Sequence, residues 1–206
     1  MKTTEFTDRL TDSFSQGRRR MLSVLALSLS TTLSFGALGA EPESSWSALQ
    51  SGTIVLFRHA IAPGTGDPAN FKRGDCSTQR NLDASGQAQA RRIGEQFRAQ
   101  QVSVQKVLTS QWCRAQETAQ LAFPDRVQES PVFNSFFGKA NRNSAQSEQT
   151  AAALEIFRQW KGPGVLAVVT HQVNITALTG IYPASGEGVI VQTQAGALVV
   201  LGRVQP

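Results

Sequence analysis

Hydrophobic and polar positions along this chain alternate between short apolar runs and helical spacings. Three runs stand out: Thr53–Phe57, Val102–Thr109 and Val165–Val169. Short apolar runs bounded by turn residues read as buried strands of a parallel sheet. Between the first two, Ala90, Ile93 and Phe97 recur at helical spacing, while Arg91, Arg92, Glu95 and Arg98 fall on the opposite, solvent side. Asp83 or Ser85 is placed to cap that helix. Arg114–Phe123 predicts a short helix stopped by Pro124, and Ser147–Trp160 predicts another with Ala151, Leu154 and Phe157 inward. Val127–Phe133 holds room for a short strand, and 136–144 reads as a Gly/Asn/Ser-rich loop. Val189–Gln192 and Ala197–Arg203 pair as a hairpin around Gln194-Ala195-Gly196. A long loop, Ile61–Cys76, carries Pro63, Gly64, Gly66, Pro68 and Gly74. Loops of that length beside a site are usually functional.

The ends of the apolar runs carry the chemistry. The first runs into Arg58-His59, the second into Ser110 and then Trp112-Cys113-Arg114, the third into Thr170-His171. The chain has two histidines, and each closes a strand. Ligands of open α/β sheets collect just past the carboxyl ends of the strands. Two arginines and two histidines are therefore expected at one sheet edge. That set lacks the three or four Cys, His or carboxylate ligands of a zinc site, so no metal and no cofactor is expected. It suits phosphate instead. Guanidinium forks make paired, charge-assisted hydrogen bonds to phosphoryl oxygens. One imidazole can attack phosphorus while a second stabilises the charge that develops on its oxygens.

Charge and the front of the chain add a setting. Arg18-Arg19-Arg20 precedes the uncharged, apolar stretch Met21–Ala40. This has the form of an export leader with cleavage after Ala40 or Gly39, and it resembles a twin-arginine signal. A retained single membrane anchor is the alternative, since the stretch is about long enough to span. Residues 1–40 are thus expected to be a signal peptide and 41–206 the functional domain, with no stable membrane span after cleavage. Loss of the leader lowers the net charge from +5 to +3. No basic tract interleaved with aromatics suggests nucleic acid. Mild positive charge accommodates an anionic small substrate. In an oxidising compartment Cys76 and Cys113, the chain's two cysteines, suggest a disulfide. Two unpaired thiols are the alternative.

Four blocks together resemble the histidine phosphatase superfamily. Leu56-Phe57-Arg58-His59-Ala60 resembles its Arg-His-Gly signature. Arg80-Asn81-Leu82, with Gly86 and Gln89-Ala90 beyond, is similar to the next block. Ser110 to Ala119 resembles the block of the second arginine, and Val168-Val169-Thr170-His171 the strand of the second histidine. The blocks occur in the family's order. The resemblance implies an α/β fold of the phosphoglycerate mutase-like kind: a three-layer sandwich with a mostly parallel central sheet and helices on both faces. It implies His59 as nucleophile, Arg58, Arg114 and His171 as the phosphate pocket, and Ser110 as a support for Arg114.

The chain also departs from that family. Ala60 stands where the signature has glycine. Asn134 falls where one branch places a proton-donating glutamate, and Gln172 where the other places an aspartate. Candidate donors are then Glu187, Asp75 and Glu148. Without a donor, poor leaving groups depart slowly. The expected activity is that of an exported, periplasmic phosphomonoester hydrolase working through phosphohistidine. Its Trp-Cys-Arg block resembles envelope-associated members acting on a lipopolysaccharide core heptose phosphate, so an envelope phosphosugar is the narrower expectation. The alternative is a phosphate- or phosphosugar-binding protein on the same fold with little turnover.

Overall fold

The computed structural model describes residues 45–138 and 140–206. The expected leader and its expected cleavage point lie outside the described residues. Six strands form one sheet: β1 (Ile54–Arg58), β2 (Val104–Thr109), β3 (Val127–Glu129), β4 (Val165–Thr170), β5 (Gly188–Gln194) and β6 (Ala197–Val204). Their spatial order is β3-β2-β4-β1-β5-β6. The first four run parallel, and β5 and β6 close the other edge antiparallel. Four helices complete the domain: α1 (Ala84–Ala99), α2 (Cys113–Ala122), α3 (Arg142–Gln159) and α4 (Gln172–Thr179). The expected three-layer α/β sandwich with a mostly parallel sheet is thus the observed architecture.

Side-chain alternation on β1 and β4 builds the two cores. Val55, Phe57, Ala167 and Val169 face α1 and α2, packing on Ile93, Phe97, Ala115 and Ala119. Ile54, Leu56, Leu166 and Val168 face the other way, against Phe157 of α3 and Ile175 of α4. A strand buried on both faces must be apolar at every position, which is why these two read as continuous runs. β4 is buried throughout. Its last residue, Thr170, is buried too, and its hydroxyl donates to the Phe133 carbonyl at 2.7 Å.

The structure adds to and adjusts the elements expected from sequence. α3 begins at Arg142, so 142–144 are helical rather than loop. That first turn is polar and exposed, so no apolar period marks it. β3 ends at Glu129, because Pro131 opens a 3-10 turn that a strand ladder cannot include. α4 follows His171 directly and stops at Gly180, whose φ of 73° is left-handed. Asp83 rather than Ser85 caps α1, its carboxylate accepting from the Gly86 amide at 2.7 Å.

Candidate functional site

β1, β4 and β2 are neighbours in the sheet, so their carboxyl ends lie side by side. Backbone bonds stitch those ends together. The His59 amide donates to the Thr170 carbonyl at 2.9 Å, and the Ser110 amide to the Val169 carbonyl at 3.0 Å. A cavity of about 470 Å³ opens there. Arg58, His59, Arg114 and His171 all line it. The structure therefore brings the four expected residues into one pocket, with Arg80 as a third arginine.

His59 is held in one tautomer. Its Nδ1 lies 2.8 Å from the Ala60 carbonyl, which can only accept, so the proton sits on Nδ1. Nε2 then presents a lone pair, and Arg114 Nε donates to it at 3.2 Å. Burial, reinforced by the Arg114 charge, lowers the imidazole from 6.5 to about 3. His59 is thus a neutral imidazole at physiological pH. His171 is fully enclosed, and burial first, then the neighbouring His59 and arginines, pushes it well below its ordinary value. The two rings are 5.4 Å apart, edge to face. Ser110 Oγ is 2.8 Å from His171 Nε2 but 3.3 Å from Asn134 Oδ1. The Ser110 contact engages Nε2 and leaves Nδ1 as the ring's other nitrogen. That Nδ1 is buried with no hydrogen-bond partner, as is Arg58 Nε. Buried polar atoms without a partner are costly, and at a pocket they mark where a ligand atom belongs.

Arg114 is the second residue of α2 and its side chain is 4% exposed. Thr118, one turn on, accepts from the Ala60 amide at 3.0 Å and donates to the Arg114 carbonyl at 2.6 Å. α2 is thereby tied to Ala60, the residue after His59. Ser110 supports the same corner by accepting from the Trp112 amide at 3.2 Å. Cys113 bonds Cys76 in a disulfide with Cα atoms 5.7 Å apart, so the long loop is pinned to the start of α2.

The candidate proton donors fall elsewhere. None of Glu187, Asp75 and Glu148 lines the pocket. Glu187 is buried just beyond the site, but its carboxylate takes the Ala184 amide at 2.7 Å and pairs with Arg203 on β6. The strand hairpin supplies a cation there, and the carboxylate turns to it. Asp75 caps the 3-10 turn Cys76–Thr78 by accepting from the Ser77 amide. Glu148 is exposed on α3. Asn134 holds the backbone at Gln111 and does not reach the cavity; Gln172 lines the cavity but is an amide.

The carboxylate that does line the pocket is Asp67, from the Ile61–Cys76 loop. Its two oxygens take Arg114 Nη1 at 2.6 Å and Nη2 at 3.2 Å, and the Trp112 indole donates to it at 2.9 Å. Burial raises its pKa, but the Arg114 and Trp112 hydrogen bonds outweigh burial and hold it below the usual value. Sequence reading singled out the loop but not this residue. Its one local sign is a lone acid between Gly66 and Pro68, flanked by turn residues. Arg80 was visible only as part of a motif block. It donates to the Gly66 carbonyl at 2.8 Å and to the Ala62 carbonyl, holding the loop closed on itself.

Residues 54–133 match the family model of the histidine phosphatase superfamily, branch 1. No curated protein matches the chain. Among solved structures, the protein histidine phosphatase SixA complexed with tungstate is similar at 16% identity and TM-score 0.52, over 75% of this chain and 97% of that one. The phosphoserine phosphatase of Entamoeba histolytica with 3-phosphoglyceric acid aligns at 14% identity and TM-score 0.56, over 75% and 97%. The alpha-ribazole phosphatase of Shigella flexneri aligns at 18% identity and TM-score 0.55, over 75% and 96%. At these identities the structural likeness speaks for the fold.

Proposed function

We propose that this chain acts as a histidine phosphatase, as the match of residues 54–133 to that superfamily's model supports, and that it hydrolyses a phosphomonoester through a phosphohistidine on His59. The carrying observation is the His59 tautomer: Nδ1–H is committed to the Ala60 carbonyl, and the Nε2 lone pair faces Arg114. In the first step Nε2 attacks phosphorus, the P–N bond forms, and the ester P–O bond breaks. The leaving oxygen takes its proton from water, or departs without one when it is a weak base. In the second step water attacks phosphorus, the P–N bond breaks, and orthophosphate leaves with His59 restored. Arg58 contributes its unpaired Nε donor to the phosphoryl oxygens, and His171, protonated at its unpaired Nδ1 when phosphate binds, contributes a second. Among the described residues no cluster of three or more His, Cys, Asp or Glu is arranged for a metal, and the arginines carry the charge a metal would otherwise balance.

Asp67 is saturated with hydrogen bonds, so substrates with good leaving groups fit this site best. The same feature favours the second reading, an oxyanion-binding protein with little turnover. Hydrolysis of p-nitrophenyl phosphate separates the two. Turnover with acid-labile label on His59 supports the phosphatase; tight phosphate binding with no turnover and no labelled histidine supports the binding protein.

Export to the periplasm is part of the same proposal. The leader-like sequence of residues 1–40 and the disulfide, a bond that persists in oxidising compartments, support it. An envelope phosphosugar such as a heptose phosphate is the narrower proposal, resting on the Trp112-Cys113-Arg114 block. Fractionation of the expressing cell and assay on isolated phosphorylated sugars test these two points.

A further inference from the structure

We propose that Asp67 is a positioning residue for the reaction: it grips one edge of the Arg114 guanidinium so that the opposite edge is aimed at the phosphoryl group on His59. This rests on the phosphatase reading above and adds to it a residue from outside the motif blocks.

The argument is an inventory of the guanidinium. Arginine has five N–H donors in a rigid planar fork. Asp67 takes one from Nη1 at 2.6 Å and one from Nη2 at 3.2 Å, so its carboxylate covers the end of the fork. The Arg80 carbonyl takes a further Nη1 donor at 3.3 Å. The Nε donor goes to His59 Nε2 at 3.2 Å. The remaining donor is the second Nη2 hydrogen, on the same edge as Nε. That edge, Nε with Nη2, is where a phosphoryl group carried by His59 Nε2 would lie. A carboxylate on the end and a phosphoryl group on the side do not compete for the same hydrogens.

Asp67 is itself braced. Trp112 Nε1 donates to Oδ2 at 2.9 Å and the Arg80 amide to Oδ1 at 3.3 Å. Trp112 stacks on Phe71 of the same loop, with ring centroids 5.0 Å apart. The next residue, Cys113, carries the disulfide back to Cys76. Three kinds of link thus fix the loop that carries Asp67 to the helix that carries Arg114. Charge points the same way. The charged residues among those lining the cavity are Arg58, Arg80, Arg114 and Asp67, a net of +2 with both histidines neutral. That balances a phosphomonoester dianion, which three unopposed arginines would overshoot.

A group that only aims an arginine matters most where geometry is most demanding, in the transition state. The test compares wild type with Asp67→Asn and Asp67→Glu, the disulfide intact, on p-nitrophenyl phosphate. Orthovanadate and inorganic phosphate binding are measured alongside by calorimetry. Asp67→Asn is expected to lower kcat by about 10²-fold, the effect of a misplacement of order 1 Å. KM and phosphate affinity should change little, and vanadate, as transition-state mimic, should lose affinity in proportion to kcat. Asp67→Glu should recover part of the loss. Unchanged kcat and vanadate affinity in Asp67→Asn overturn the proposal. So does tighter phosphate binding, which would make Asp67 a competitor for the pocket. If Asp67→Asn does not fold, Trp112→Phe removes one hydrogen bond to Asp67 and should shift kcat and vanadate affinity the same way; no shift overturns the proposal. A wild type that binds vanadate without turnover defeats the phosphatase reading alone, and the vanadate affinities of the variants still decide the role of Asp67.

Discussion

The two halves of the pocket are held by different means. His59 and His171 stand at the ends of β1 and β4, strands buried on both faces and paired in register along their length. Arg114, by contrast, answers to a loop. Asp67, Arg80, Trp112 and the Cys76–Cys113 bridge set its orientation, and the loop they bind has no strand or helix between β1 and the turn at Cys76. Ladder hydrogen bonds and close packing fix the histidines as a by-product of folding. An arginine with a long flexible stem gains no such constraint from its helix. It is fixed by side-chain bonds, and a covalent tie limits how far the loop can wander.

That contrast predicts which half fails under which insult. The largest effect is expected from the rigid half: His59→Ala should remove turnover below detection while leaving the melting curve near wild type, because the proposed phosphohistidine has no substitute carrier. Retained activity, or label on a different residue, would remove His59 from its role.

The loop half should fail by a different route. Reduction, or Cys76→Ser with Cys113→Ser, opens a loop whose cysteines are separated by 37 residues. Chain entropy puts the bridge at about 4 kcal/mol, or about 10 °C in Tm for a domain of this size. Activity should fall at temperatures where circular dichroism still reports a folded sheet. Coincident loss of both signals would mean the loop and the sheet are one cooperative unit.

Acid should attack the histidine half. His59 is depressed to about 3 from 6.5, so the unfolded chain binds the extra proton across that window. Stability is therefore full above pH 6.5 and declines as pH falls below it, by about 1.4 kcal/mol per unit for each such histidine. His171 shifts in the same direction and adds to the slope. Asp67, depressed from 3.8, loses its stabilising charge only below that value, so the loop is spared in the upper part of the window. Chemical denaturation at pH 7 and pH 5 should differ by about 2 kcal/mol from His59 alone; equal midpoints would contradict a buried neutral imidazole.

An effect of similar size to the acid effect is expected where loop and frame touch. Gly86, in the first turn of α1, packs on the Ile61 backbone so closely that an added Cβ would collide with its carbonyl oxygen. Gly86→Ala should cost about 1–3 kcal/mol through a forced shift of that turn. A neutral outcome in thermal melts would show that the start of the loop yields freely.

The same division separates what the sequence alone determined from what tertiary structure decided. Buried parallel strands must be apolar at consecutive positions, so Thr53–Phe57 and Val165–Val169 announced the centre of the sheet, and the basic residues ending them announced the edge where the pocket opens. Two cysteines in a chain with a leader-like front announced the bridge. Helix limits were blurred where a turn is polar and exposed, as at Arg142. The carboxylates were beyond reach. Glu187 lies next to the site in sequence, yet Arg203 of the adjacent strand draws its charge away. Asp67 sits 47 residues from Arg114 in a loop with no periodicity, yet it lands on the guanidinium. Periodicity records which face an element buries. Which acid meets which base across a loop depends on where the backbone is brought in space, and that is decided only when the sheet, the loop and the disulfide are assembled together.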